Sequence, residues 1–231
     1  MNRKRLVVSL RVAPLVMALL TLASGIWSPA AAASRPSELC VDLLKASSDG
    51  SVKFWVSGTG DSREMTLRVK NELTVALKIC VEVGTRLKPK EGSVQAMVVT
   101  KEVKITLKAE AEDEVSLEVA CLDITKDPPS RTNSSWTVGK PAKLVNFLDC
   151  VNRLLDEVKQ QEPSHAGHID AARQSLVQLS LWQARGATRE DWIEFLVKYQ
   201  SMSKEQATQQ TDLLQPLLAE IVNQCGSLAD L

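Results

Sequence analysis

The segment REMTLRVKNELTVALKICVEVGTRLKPKEGSVQAMVVTKEVKITLKAEAEDEVSLEVACL, residues 63–122, decides the fold. Apolar side chains occupy every second position in four runs of this segment, at residues 65–69, 75–83, 103–107 and 115–119. A period of two is the period of a β-strand, in which successive side chains point to opposite faces. Each run ends at residues that favour turns, so the segment predicts short strands joined by turns.

Two further runs, at residues 52–56 and 94–99, bring the predicted number of strands to six. No segment between them is long enough for a crossover helix, and parallel strands need crossovers of a dozen or more residues. We therefore predict an N-terminal antiparallel β-sandwich over residues 51–127.

Three short motifs in this region resemble those of immunoglobulin-like modules in bacterial exported proteins. The resemblance rests on Val83-Gly84-Thr85 followed by Pro89, on Gln95-Ala96-Met97-Val98-Val99, and on Val119-Ala120-Cys121-Leu122 before Pro128-Pro129. The resemblance implies a β-sandwich in an exported protein, and it transfers no catalytic residue to this chain.

The first 33 residues have the pattern of a signal peptide. A basic head precedes an apolar core at residues 12–22, and three alanines end at Ala33, where we expect cleavage. The alternative is a retained membrane anchor, but Arg11 interrupts the apolar run and a span needs about 20 apolar residues. We expect a secreted or periplasmic protein with no membrane span in the mature chain.

Charge argues against nucleic acid as a partner. Lys plus Arg and Asp plus Glu each number 28, and residues 1–33 contain four of the basic residues and none of the acidic ones. The mature chain therefore has 24 basic against 28 acidic residues, a net charge of −4. Nucleic-acid binding needs a positive footprint, which this chain lacks.

All five cysteines follow the predicted cleavage point, at Cys40, Cys80, Cys121, Cys150 and Cys225. Disulfides are expected in an oxidising compartment, but the odd number leaves one thiol over or links two chains into a dimer. Cys150 and Cys225 can pair if the first and last helices are adjacent. Cys80, which has outward parity, can pair with Cys40 or with the inward Cys121, and these alternatives stay open.

The period changes from two to 3.6 after Pro141. We predict a short helix within residues 34–50, a linker at residues 128–140, and a C-terminal bundle of about four helices at residues 141–231. The bundle helices are expected at residues 141–158, near 169–183, from Thr188, and from Ser203 to Gly226. Thr188 and Ser203 carry N-cap signals, and the overall class is α+β.

The histidines offer the clearest candidate for chemistry. His165, His168 and Asp170 could hold a metal ion if this stretch were helical, since positions i and i+3 share a helix face. Pro163 and Gly167 instead favour a polar loop that caps the second helix. The sequence contains neither common glycine-rich nucleotide motif, and we predict no cofactor.

The predicted function is a non-catalytic binding or structural role through a protein partner. Trp55 has the parity opposite to Phe54, so one of the two must face outward or into a second layer. An exposed Trp55 would be a platform for a partner or carbohydrate, and the alternative is that the helices cover it. We favour the covered arrangement. The alternative function is a metal-dependent or thiol-based enzyme that uses His165, His168 and Asp170, or an unpaired cysteine.

Overall fold

The computed structural model describes residues 40–131 and 135–231 of the chain. The predicted signal peptide, residues 1–33, lies outside the described residues. Two compact units are present, residues 40–149 and residues 150–231, and they are described separately below.

Nine strands and five α-helices make up the described chain. The strands are β1 Val41–Asp42, β2 Val52–Gly58, β3 Glu64–Asn71, β4 Leu77–Val81, β5 Arg86–Pro89, β6 Met97–Val99, β7 Val103–Leu107, β8 Glu112–Cys121 and β9 Trp136–Gly139. The helices are α1 Leu43–Ser48, α2 Ala142–Gln161, α3 Ala166–Ala184, α4 Arg189–Gln200 and α5 Lys204–Cys225, with a 3₁₀ turn at Pro163–His165. The α+β class with about four C-terminal helices is confirmed.

The strands form two sheets. One has six strands in the order β2-β3-β8-β6-β5-β9, and every neighbouring pair in it is antiparallel. The other has the order β1-β4-β7, in which β4 and β7 are antiparallel but β1 and β4 are parallel. Strand β1 lies in residues 34–50, where only a short helix is predicted, and the long connection through β2 and β3 allows it to pair in parallel with β4.

Alternation along β3 and β8 places one face of the six-stranded sheet in the core. Met65, Leu67 and Val69 of β3 and Leu117 and Val119 of β8 are all fully buried. The predicted run at residues 75–83 begins too early, because β4 starts only at Leu77 and Val75 is 61% exposed.

A buried amide explains why β3 ends where it does. The Asn71 side chain donates to the carbonyls of Val75 and Lys108, at 2.8 and 2.9 Å, and accepts from the backbone N–H of Leu73 at 3.0 Å. Asn71 is completely buried. One side chain therefore fixes the turn after β3 and joins it to the connection after β7.

Two segments predicted as irregular contain strands that pair with each other. Strand β5 lies within the predicted turn at residues 84–92, and β9 lies within the predicted linker at residues 128–140. Gly84 precedes β5 with a φ of +84°, and a Cβ there would lie 2.6 Å from the Val145 side chain. A glycine is required at that position both for its backbone angle and for its close contact.

The helices largely follow the prediction. Helix α2 begins directly after Pro141 and ends before Pro163, and the capping boxes at Thr188 and Ser203 are both present. Helix α3 is buried on more than one side, as its composition indicates, and both α3 and α4 pack against α5. The predicted loop at residues 163–170 is wrong, because the 3₁₀ turn leads directly into α3 at Ala166.

Each unit contains one intramolecular disulfide. Cys40 pairs with Cys80 across a Cα separation of 5.7 Å, and Cys150 pairs with Cys225 across 5.5 Å. Cys80 is only 3% exposed despite its outward parity, so the outward side of β4 is covered where Cys40 joins it. Cys121 lies outside both bridges and is buried, and its thiol donates to the carbonyl of Ser62 at 3.4 Å. Both bridges fit a non-cytoplasmic, oxidising compartment.

Candidate interaction surface on the six-stranded sheet

The face of β2, β3 and β8 opposite to the core is polar and accessible. Cross-strand register arranges nine side chains on it in three rows of three, which we call the Trp55 face. The rows are Lys53, Lys70 and Glu112; Trp55, Arg68 and Glu114; and Ser57, Thr66 and Ser116. All nine side chains are exposed or half-buried, whereas most of their sequence neighbours of opposite parity are buried, with Asp113 at the start of β8 as an exposed exception.

Trp55 is the large apolar residue at the edge of this face. Its exposed fraction is 49%. The other tryptophans differ: Trp182 and Trp192 are buried and meet edge to face at 5.6 Å, and Trp136 is half-buried in β9. A half-exposed indole keeps apolar area in water that a bound partner could cover.

Charged neighbours hold the side chain beside Trp55 in place. The Nε of Arg68 lies 3.3 Å from a carboxylate oxygen of Glu112 and 3.7 Å from one of Glu114. Exposed ion pairs of this kind contribute only about 0–1 kcal/mol each, so they orient Arg68 more than they stabilise the fold. Arg68 thus sits between two carboxylates, directly opposite Trp55 in register.

A second charged cluster borders the face at Glu72. Its carboxylate accepts a hydrogen bond from the Lys70 ammonium at 3.0 Å and lies 3.4 Å from the Nζ of Lys53. The hydrogen bond from Lys70 holds the pKa of Glu72 below its ordinary value. The cations of the first row are therefore partly neutralised, and the face carries no dominant charge.

Sequence reasoning identified Trp55 as a candidate but missed Arg68 and Glu114. These residues lie in other strands, and only the register of β2, β3 and β8 places them in one row with Trp55. The available signal was the short connection at residues 59–63, which makes β2 and β3 a hairpin, together with the outward parity of Arg68.

The segment that contains His165, His168 and Asp170 is helical and not the predicted loop. His165 ends the 3₁₀ turn, and its side chain lies outside the described part of the structure, while His168 and Asp170 lie in the first turns of α3. Positions i and i+2 of a helix do not share a face, and the Asp170 carboxylate accepts a hydrogen bond from Lys159 at 2.6 Å. The arrangement gives Asp170 a cationic partner, Lys159, from α2.

Four of the five cysteine candidates form two disulfides, and the fifth does not. Cys150 and Cys225 are joined, Cys40 and Cys80 are joined, and Cys121 is kept apart from both pairs. Burial raises the pKa of the Cys121 thiol far above its ordinary value, with a smaller contribution from the charge of Asp61. A thiol in that environment stays protonated and is a poor nucleophile.

Comparison with known proteins identifies no relative of this chain. No protein-family model matches the chain, and no curated protein or solved structure shows significant similarity to it. In the described part of the chain, no helix combines the length and apolarity that crossing a membrane requires.

Proposed function

We propose that this chain is an exported, non-catalytic binding protein that contacts a protein partner through the Trp55 face. The observation that carries the proposal is the half-exposed Trp55 in one row with a fixed arginine and a carboxylate. Tryptophan and arginine are the residues most enriched in the energetic centres of protein interfaces. Paired charges around an apolar anchor also match the polar rim of such interfaces.

The setting of the protein is part of the same proposal. Two disulfides support an oxidising compartment, as the signal-peptide pattern of residues 1–33 does. Short strands with mostly antiparallel pairing support a sandwich-type, immunoglobulin-like binding module. Support for the non-catalytic part comes from the sequence, which has only two histidines and no recognisable nucleophile motif.

The test compares two variants that each remove one exposed aromatic side chain. Mature protein, Trp55→Ser and Tyr199→Ser are immobilised and exposed to an extract of the cell envelope and secreted proteins. Tyr199 is the matched control because it is 42% exposed and lies in the helical unit. We expect a protein that binds the mature chain and Tyr199→Ser but is lost with Trp55→Ser.

Affinity measured with that purified protein gives the quantitative outcome. An interface anchor contributes about 2 kcal/mol or more, so Trp55→Ser is expected to weaken binding by about 30-fold or more. Far-ultraviolet circular dichroism checks that Trp55→Ser keeps its fold, as expected for a surface substitution. Equal affinity of the two variants would refute the assignment of the Trp55 face.

A further inference from the structure

Three potential metal-binding side chains from three separate segments meet beside β4. Cys40 directly precedes β1, Cys80 lies within β4, and Glu102 directly precedes β7. The two sulfur atoms and a carboxylate oxygen of Glu102 all lie within 4.8 Å of one another. The three donor atoms are therefore near enough to one another to share one ion once the sulfurs are no longer bonded to each other.

This donor set has the chemistry of a thiolate metal site. Zinc binds thiolate at about 2.3 Å and carboxylate oxygen at about 2.0–2.2 Å, which places ligand atoms in a tetrahedral site roughly 3.5–4 Å apart. Three protein ligands and one water complete such a site. Thiolates also select zinc and other soft ions over magnesium and calcium.

The redox state of the Cys40–Cys80 pair determines whether the two sulfur ligands are available. While Cys40 and Cys80 are bonded to each other, neither sulfur carries the negative charge that a metal ligand needs. We propose that this bridge is a redox-gated metal site, in which the two thiolates formed on reduction and the carboxylate of Glu102 bind one zinc-type divalent cation.

The steps balance with a dithiol as the reductant. The dithiol supplies two electrons and two protons and itself becomes a disulfide, while the Cys40–Cys80 bond breaks and gives two thiols. Binding of the cation then releases the two thiol protons to solvent. In the reverse step a small-molecule disulfide accepts two electrons from the two thiolates and two protons from solvent and becomes a dithiol, while the Cys40–Cys80 bond re-forms and the ion is released. Metal and disulfide therefore exclude each other.

A neighbouring lysine offsets the negative charge that a divalent cation would leave at the site. Lys104 lies directly opposite Cys80 in the β4–β7 register, and its Nζ lies 3.6 Å from a carboxylate oxygen of Glu102. Two thiolates and one carboxylate carry three negative charges, of which a divalent cation neutralises two. The Lys104 ammonium offsets the third, and a cation beside thiols favours their thiolate form.

The second bridge serves as an internal comparison. Among the described residues, no His, Asp or Glu joins Cys150 and Cys225 in a comparable group of three ligands. The proposal is therefore specific to the bridge of the β unit, and it does not depend on the Trp55 face.

The experiment uses the full mature chain after reduction by a dithiol and removal of the reductant without oxygen. Cadmium is the probe, because thiolate–cadmium bonds give an ultraviolet charge-transfer absorption, and competition with a chelator gives the zinc affinity. We compare the mature chain with Cys40→Ala/Cys80→Ala, Cys150→Ala/Cys225→Ala and Glu102→Gln. Circular dichroism confirms the fold of each reduced sample.

One ion per chain is expected for the reduced mature chain and for Cys150→Ala/Cys225→Ala, and none for the oxidised chain. Cys40→Ala/Cys80→Ala should lose the absorption, and Glu102→Gln should bind at least about tenfold more weakly. Zinc should also raise the thermal unfolding midpoint of the reduced mature chain more than that of Glu102→Gln. Unchanged binding by Glu102→Gln, or absorption that survives in Cys40→Ala/Cys80→Ala, would overturn the proposal.

Discussion

Removal of the Cys150–Cys225 bridge is expected to destabilise the helical unit by about 4.5 kcal/mol. The bridge joins residues 75 apart in the sequence. In the chain-entropy model, closure of a loop of that length lowers the entropy of the unfolded chain by about 15 cal/mol/K, which gives the stated value at 298 K. Small domains have a total stability of about 5–15 kcal/mol, so this bridge accounts for a large share of it.

The assay is equilibrium unfolding in urea of residues 34–231 with and without the Cys150→Ala/Cys225→Ala substitutions. Trp182 and Trp192 lie in the helical unit with their ring centroids 5.6 Å apart, so their fluorescence reports on that unit. The variant should unfold at a much lower urea concentration by this signal, and far-ultraviolet circular dichroism should show early loss of helix.

The matched control is Cys40→Ala/Cys80→Ala, which opens a bridge between residues 40 apart in the other unit. The same model gives about 3.9 kcal/mol for that bridge, and the helical signal should change little because the bridge lies within residues 40–149. A loss below about 1 kcal/mol in Cys150→Ala/Cys225→Ala would refute the chain-entropy argument. Equal effects of both variants on the tryptophan signal would refute the division into two units.

Three further predictions concern single side chains. Asn71→Ala removes three hydrogen bonds of a fully buried side chain, so we expect the unfolding free energy to fall by about 3 kcal/mol in urea titrations. Four of the five cysteines are in the two bridges, so one thiol per chain should react with a thiol reagent in denaturant. In the folded protein this thiol should react far more slowly, because Cys121 is buried and its pKa is raised. The hydrogen bond from Arg189 lowers the pKa of Asp212, so its contribution to stability is complete above the ordinary pKa of 3.8 and is lost as the pH falls through the lowered value. Asp212→Asn should therefore remove part of the acid sensitivity seen in unfolding curves measured from pH 5 downward.

Strands with strict alternation were predictable, and short strands were not. The pattern at residues 65–69 locates β3 because each buried residue is separated by one exposed residue over the whole strand. Strand β5 has only Leu87 as an aliphatic inward residue and ends at Pro89, so its four residues resemble a turn. Strand β9 exists because β5 offers it backbone partners, which is information that no local window contains.

The candidate site was predictable only in part, for the same reason. Parity alone indicated that either Trp55 or Phe54 points away from the core. Whether another element covers it depends on tertiary packing, and its neighbours Arg68 and Glu114 follow from strand register. Parity also misplaced Cys80, because β1 pairs with β4 and the bridge to Cys40 buries the sulfur.

The order of strands in the six-stranded sheet has a consequence for biosynthesis. Strands β2 and β3 are neighbours in sequence, but the partner on the other side of β3 is β8, whose first residue follows the end of β3 by 41 positions. At a synthesis rate of about 5–20 residues per second, β8 follows the nascent β2–β3 hairpin by about 2–8 seconds. During that time the apolar face of the hairpin is uncovered, and the backbone groups along one edge of β3 have no strand partner. The sheet is complete only after β9, Trp136–Gly139, has been synthesised and has paired with β5.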